Sequence, residues 1–329
     1  MSDSRKAKRR YERGAIARLK IRELMPHASS LGLARLDRNE NPYPPSPAVM
    51  NALRSIDADS LRRYPEPTAA HVRELIATLH GVSPENVVAT NGGDEFLRLA
   101  ITTFVPPGGT MGLTNPTYSA YPKAATIQEA RTVSVDLDNG WKLPDNAAQV
   151  WNRSGAHAVF IVNPESPSGQ LIHASQIKKL AYDLNGILFI DEAYVDFVDP
   201  ALEHNCVKLV SELPNVLILR TLSKGYALAG IRFGYGIGSK ELIPSMLYKS
   251  RDRYNTDAVS QILAAAALGD REYAKGTWEA IRSERQRLVT ELRRRGYGVE
   301  NSQANFILWA TSPHNTKNAK GIGETRNSS

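Results

Sequence analysis

The sequence predicts an α/β protein built on a mostly parallel sheet flanked by helices, with a smaller α/β unit towards the C-terminus that reads as incomplete. Three observations predict it. From residue 68 onward, short apolar runs alternate with stretches of helical periodicity, the pattern of strand–helix–strand units. The apolar runs end on polar, chemistry-bearing residues, which is where ligands bind in such sheets. Beyond residue 310 the apolar signal collapses, and "SPHNTKNAKGIGETRNSS" is too polar to complete a packed layer.

The elements follow in order. "TAAHVRELIATLHG" reads as a helix with Thr68 as N-cap and Gly81 as stop. "NVVATN" (86–91) is a short buried strand, and "DEFLRLAITTF" opens a helix with acids in its first turn, where the macrodipole favours them. Four further apolar runs, "AVFIVNP" (158–164), "GILFIDEAY" (186–194), "NVLILR" (215–220) and "RFGYGIG" (232–238), read as strands, with the amphipathic "ASQIKKLAYDL" between the first two. Residues 271–295 read as one long helix with Trp278, Ile281, Leu288 and Leu292 on a shared side, followed by "ANFILWA" (304–310) as a strand. The expected division is a basic arm over 1–30, a segment of the smaller unit over 31–59, a large unit over 60–248 and the small C-terminal unit over 249–329, its tail starting near 311.

Charge is unevenly placed. Residues 1–22 hold nine Lys/Arg against two acids, and the remaining residues hold 32 of each sign. The neutral body argues against a nucleic-acid-binding protein, and the arm reads as a solvated leader or as a contact to another subunit. No apolar run approaches the roughly 20 residues needed to span a bilayer. The single Cys206 excludes an internal disulfide and fits a reducing cytoplasm. The seven histidines include no i, i+4 pair, so no metal is expected. "GYGIGSK" lacks the G-x-G-x-x-G spacing of dinucleotide sites.

Four strand ends carry candidate chemistry, each with a plainer reading beside it. Gly92-Gly93-Asp94 opens a helix, as an anion cradle or only a turn. Asp191, with Tyr194 three residues on, is a carboxylate needing a cationic partner, or a helix cap. Thr221, Ser223, Lys224 and Arg232 form a group in which two hydroxyls and a guanidinium hold a phosphate while an amine stays free; alone, Lys224 reads as a surface lysine. The Pro-rich loop "NPESPSG" brings Ser166 and Ser168, or is turn chemistry. Pyridoxal 5'-phosphate accounts for all four together, having an aldehyde, a phosphate, a phenolic oxygen and a ring nitrogen that must stay protonated.

"LDRNENPYPPSP", "RRYPEP", "NGGDE", "PTYSAY", "FIDEAYVDF" and "RTLSKGYALAGIRFGY" resemble the signature segments of fold-type I aminotransferases, and among them the histidinol-phosphate aminotransferases, over about Leu36 to Ala310. The resemblance implies that Lys224 bonds the cofactor aldehyde and later shuttles the proton. It implies further that Asp191 pairs with the pyridinium nitrogen, that Tyr194 hydrogen-bonds the phenolic oxygen and that Tyr118 stacks on the ring. Gly93, Asp94, Thr221, Ser223 and Arg232 would hold the phosphate. Tyr64 would reach the cofactor phosphate of a neighbouring subunit, implying a homodimer, and Asn41 would lie near the substrate. The implied reaction moves an amino group from histidinol phosphate to a 2-oxo acid in histidine biosynthesis. Alternatives are another reaction on the same cofactor, such as decarboxylation of an amino-acid phosphate or transamination of an aromatic amino acid, or a non-catalytic cofactor-binding homologue.

The chain departs from that pattern in three places. Where the family loop carries paired asparagines, this one reads Glu165-Ser166-Pro167-Ser168-Gly169, so Ser166 offers a shorter hydroxyl to the phenolic oxygen. His27 stands where the family has a substrate-binding tyrosine. Family members continue past the "NFILW" run to an arginine that clamps the substrate carboxylate, and no such segment follows Ala310. Without it, binding of cofactor with weak or absent activity is expected.

Overall fold

In the computed structural model, residues 12–20 and 36–310 are described. Fifteen principal elements follow the chain: α1 (Pro47–Arg54), α2 (Ala70–His80), β1 (Val87–Thr90), α3 (Gly92–Phe104), β2 (Thr110–Asn115), α4 (Ala120–Gln128), β3 (Arg131–Asp136), α5 (Ala147–Arg153), β4 (Ala156–Val162), α6 (Ala174–Asp183), β5 (Ile187–Asp191), β6 (Val216–Thr221), β7 (Gly234–Gly238), α7 (Ala258–Gly269) and α8 (Arg271–Arg294). The seven strands form one sheet in the order β1-β7-β6-β5-β4-β2-β3. Only β7 runs against its neighbours, so the expected mostly parallel sheet is present.

Six of the strands are short and mostly buried on both faces because helices cover both sides, while the edge strand β3 is largely exposed. Alternation within each strand divides the core. Val159 and Ile161 of β4, Leu188 and Ile190 of β5, and Val216 and Ile218 of β6 pack on one face with Trp151, Phe233 and Trp278. Phe160, Phe189, Leu217 and Leu219 pack on the other with Phe96 and Tyr121, as the period of two requires. On that second face, Phe96, Phe189, Phe160 and Tyr121 form a chain of ring contacts with centroids 5.4, 4.8 and 5.6 Å apart. It leads towards the carboxyl end of β5.

Three local expectations need correction. Thr68 does not cap α2, which starts at Ala70 after Ala69 takes a left-handed φ of 52°. The Glu66 carboxylate does the capping, accepting from the Ala70 N–H at 2.6 Å and the Thr68 N–H at 3.0 Å. Leu288 of α8 is exposed, whereas Trp278 and Ile281 are buried. "ANFILWA" is not a strand: one isolated bridge joins Val299 to Trp309. Side chains and loop backbone hold that run instead, with Arg285 donating to the Ala304 carbonyl at 2.7 Å, the Glu300 N–H to the Leu308 carbonyl at 3.1 Å and the Ala310 N–H to the Gly298 carbonyl at 2.9 Å.

Candidate active site

β1, β2, β4, β5 and β6 point the same way, so their carboxyl ends share one edge of the sheet, and β7 starts at that edge because it runs the other way. Topology therefore gathers residues 90–94, 115–118, 163–168, 191–194, 221–224 and 232–234, which are distant in sequence. The register confirms it locally, with Gly234 opposite both Thr90 and Thr221.

At this edge α3 begins without any side-chain cap, leaving its first N–H groups and the positive end of its dipole to an anion. Arg232 adopts a left-handed φ of 54°, a conformation that costs a non-glycine residue roughly 1–3 kcal/mol and that concentrates at functional sites. It carries the guanidinium over the start of α3, where Nη2 lies 3.5 Å from Asp94 Oδ2. Gly92 permits this approach: a Cβ there would stand 2.5 Å from Arg232 Nη2, on a backbone with φ of 77°. Thr221 and Ser223 complete the cup, their hydroxyl oxygens 3.0 Å apart.

Lys224 is half-buried. Its Nζ donates to the Arg38 carbonyl at 2.5 Å and lies 5.9 Å from the centroid of the Tyr194 ring. Burial pushes its pKa down and Arg232 acts in the same direction, against opposing pulls from Glu40, Asp191 and Asp94. The direction is the one expected for an amine kept reactive. Asn41 spans the same residue, its amide donating to the Lys224 carbonyl at 3.0 Å.

Asp191 ends β5 and is only 7% exposed. One carboxylate oxygen accepts from Tyr121 at 2.9 Å and the other from the Ala193 N–H at 3.0 Å. Burial outweighs both bonds and raises its pKa to about 6. Tyr121, fully buried, is driven well above the usual phenol range by burial and by Asp191, so it remains the donor. The next residue, Glu192, turns the other way, as alternation demands. Its carboxylate accepts from Arg220 at 2.7 Å and approaches His204 Nε2 at 3.1 Å. Burial opposes its charge, but Arg220 and His204 hold its pKa near 2. With Cys206 these residues place ligand-type atoms within 4.8 Å of one another, yet the guanidinium already balances the carboxylate. The group reads as a buried support beneath the active edge.

The loop after β4 carries Glu165, whose Oε2 accepts from the Ser168 N–H at 2.8 Å and from the Ser168 hydroxyl. Burial lifts its pKa to about 7. Ser166 is half-buried at the rim beside it. Tyr118 is 42% exposed, with its ring edge-on to Tyr121 at 5.7 Å.

The sequence profile of the family described as aminotransferase class I and II matches residues 32–321. Histidinol-phosphate aminotransferase 1 of Trichormus variabilis is 39% identical over 274 residues, 83% of this chain and 76% of that protein. The histidinol-phosphate aminotransferase of Rhodopirellula baltica is 40% identical over 280 residues, 85% of this chain and 75% of the other. The chain belongs to the histidinol-phosphate aminotransferases. Among solved structures, the Sinorhizobium meliloti histidinol-phosphate aminotransferase in complex with pyridoxal-5'-phosphate superposes with a TM-score of 0.82 at 25% identity, covering 91% of this chain and 82% of that one. A Thermus thermophilus aspartate aminotransferase variant, at 22% identity and a TM-score of 0.77 over 92% of this chain and 85% of that one, shares the fold.

Of the residues singled out by the resemblance to histidinol-phosphate aminotransferases, Gly93, Asp94, Tyr118, Ser166, Asp191, Tyr194, Thr221, Ser223, Lys224, Arg232 and Asn41 all fall on or over this edge. Tyr64 does not; it is 79% exposed and stacked on Tyr254 with centroids 4.4 Å apart. His27 lies outside the described residues. Sequence reading missed Tyr121, the Arg38 carbonyl, Asn39 and Asn305. "PTYSAY" did hold a signal for the first, since two tyrosines one helical turn apart compete for one position. A backbone carbonyl leaves no trace in sequence.

Proposed function

We propose that this chain transfers the amino group of histidinol phosphate to 2-oxoglutarate with pyridoxal 5'-phosphate as cofactor, as a cytoplasmic homodimer whose cofactor is held by residues 60–248. The observation that carries the proposal is the seating of Lys224, Asp191 and Arg232 on one sheet edge in a chain 40% identical to a histidinol-phosphate aminotransferase.

The residues fit the cofactor. The uncapped start of α3 and Arg232, held only loosely by Asp94, call for an anion. Asp191, buried with a raised pKa, calls for a positively charged neighbour. Lys224 has a carbonyl rather than a carboxylate as hydrogen-bond partner, which suits an amine that must lose its proton. When bound, pyridoxal phosphate supplies an aldehyde for that amine and a ring that draws electrons from the substrate α-carbon.

The chain's own residues then divide the work. The α3 N-terminus, Thr221, Ser223 and Arg232 bind the phosphate and fix the ring's position. Asp191, oriented by Tyr121, holds the proton on the ring nitrogen. Burial raises the Tyr194 pKa above the usual phenol range, so its hydroxyl stays protonated and serves the phenolic oxygen as a donor. Ser166 serves the same oxygen, and Tyr118 covers the ring. Lys224, with its proton affinity reduced by burial, removes and returns the proton at the substrate α-carbon. Residues 38–41 lie across Lys224 and hold its amine in place, and Asn41 borders the substrate. Exposed Tyr64 is available to a second subunit. Among the described residues no helix is long and apolar enough to cross a membrane.

Purified protein with cofactor, histidinol phosphate and 2-oxoglutarate should form glutamate. Carbon dioxide release without amino transfer would replace this reading with decarboxylation, and a cofactor spectrum unchanged by every amino donor would replace it with cofactor binding alone. Gly92→Ala tests the phosphate cup. Displacing Arg232 loses a hydrogen bond to a charged group, so the cofactor Kd should rise roughly 10- to 100-fold while secondary structure is kept; an unchanged Kd in equilibrium dialysis would remove Arg232 from the cup.

A further inference from the structure

Tyr194 is not placed by its own turn alone. Its hydroxyl accepts a hydrogen bond from Asn39 Nδ2 at 3.2 Å. An amide nitrogen can only donate, so this bond occupies a lone pair of the phenol and leaves its own O–H to point elsewhere. Asn39 sits in a left-handed conformation, with φ of 51°, which asparagine tolerates better than most residues. That backbone is pinned in turn, because the Asn39 carbonyl accepts from Asn305 Nδ2 at 2.9 Å.

Asn305 does this at a cost. Its Oδ1 is buried with no partner, a loss that is unfavourable in an interior, so the amide is oriented by its donor side. Its neighbour Phe306 meets the Tyr194 ring edge-on, with centroids 4.9 Å apart. Arg285 ties the same segment to the turn following Tyr194, donating to the carbonyls of Ala304 at 2.7 Å and Phe197 at 3.0 Å. The C-terminal segment thus sets both the ring and the hydroxyl of Tyr194.

From this geometry we infer that Asn305 and Asn39 form a positioning relay that fixes the Tyr194 hydroxyl as a hydrogen-bond donor towards the cofactor's phenolic oxygen, coupling the small C-terminal unit to the cofactor's electronic state. The relay rests on the cofactor reading above. Its physical consequence is specific. A donor to the phenolic oxygen stabilises that oxygen's negative charge, and the proton on the nitrogen of the lysine–cofactor linkage draws on the same oxygen as its partner. Weakening the donor therefore favours the protonated form and raises the pH midpoint of the visible absorbance change.

The test is a pH titration of the visible band of cofactor-loaded wild type, Tyr194→Phe, Asn39→Gly and Asn305→Ala. Tyr194→Phe should raise the midpoint by about one pH unit, Asn39→Gly by about half of that and Asn305→Ala by less, for a hydrogen bond lost, weakened or misdirected. Asn39→Gly keeps the left-handed backbone available, so it carries the test even if Asn305→Ala fails to hold cofactor. In the Tyr194→Phe background, Asn39→Gly should add no further shift, because both act through one hydroxyl. If Tyr194→Phe leaves the midpoint unmoved, the placing of Tyr194 at the phenolic oxygen fails. If Tyr194→Phe moves it and Asn39→Gly does not, the relay fails while the cofactor reading stands.

Discussion

Lys224→Ala is expected to lower kcat/KM for amino transfer by about four orders of magnitude or more, because one substitution removes both the amine that bonds the cofactor and the base that moves the α-proton. Among the described residues that form the cup, Lys224 is the one amine. Its Nζ is held by the Arg38 carbonyl, and the other cation of the cup, Arg232, is a guanidinium already engaged with Asp94 and the Ala229 carbonyl. The fold should survive, since the side chain is half-buried and its hydrogen bond ends on a backbone carbonyl. Two measurements check the expectation together. Borohydride treatment followed by mass spectrometry should fix a cofactor adduct on wild type and none on Lys224→Ala, and single-turnover kinetics should show no α-proton exchange in the variant. An adduct on another lysine would reassign the nucleophile and overturn the site as a whole.

Asp191→Asn is expected to stabilise the cofactor-free protein while crippling the loaded one. In the cofactor-free fold the carboxyl pKa is raised from 3.8 to about 6 by burial. The folded state therefore binds this proton more tightly than the unfolded chain does. The group's favourable contribution is fully present below about pH 4, and is lost as pH climbs through about 6. At neutral pH the buried charge lowers folding stability by on the order of 3 kcal/mol relative to its value below about pH 4. A neutral amide removes that cost, and the Tyr121 hydroxyl can turn to accept from it. Cofactor-free Asp191→Asn should thus be more stable than wild type by about 2–3 kcal/mol at pH 7, and the advantage should vanish near pH 4. With cofactor bound the sign reverses, because the carboxylate then faces a positive ring nitrogen. Turnover should fall roughly 100- to 1,000-fold, as for other lost electrostatic contacts in a dry site. Denaturant unfolding of both cofactor-free proteins at two pH values, set beside their kcat, checks both halves. Equal stability at pH 7 would mean that the wild-type carboxyl is solvated or paired.

Tyrosines 118 and 121 show where sequence reasoning stops. Either could face the cofactor, and the resemblance favoured Tyr118 for the ring. Nothing local says that Tyr121 reaches Asp191, 70 residues on; that contact exists because β2 and β5 flank β4 in the sheet. The C-terminal run "ANFILWA" failed in the opposite sense. It has the composition of a strand, but among the described residues its one bridge joins Trp309 to Val299, and its other backbone bonds go singly to Arg285, Ser302, Glu300 and Gly298. β2 and β3 went unplaced because "TMGLTN" and "RTVSVD" carry too few consecutive apolar residues to stand out.

Sequence alone determined the chemistry on offer. It determined a lysine behind two hydroxyls, an acid at the end of an apolar strand and glycines opening a helix, because strand ends and helix starts are local events written in adjacent residues. Tertiary structure decided which groups meet. The direction of β7 brings Arg232 back to the edge where β6 ends, and the strap over Lys224 joins Asn39 to Asn305 across 266 positions. Such pairings depend on strand order and on backbone atoms that every residue shares, so no stretch of sequence could announce them.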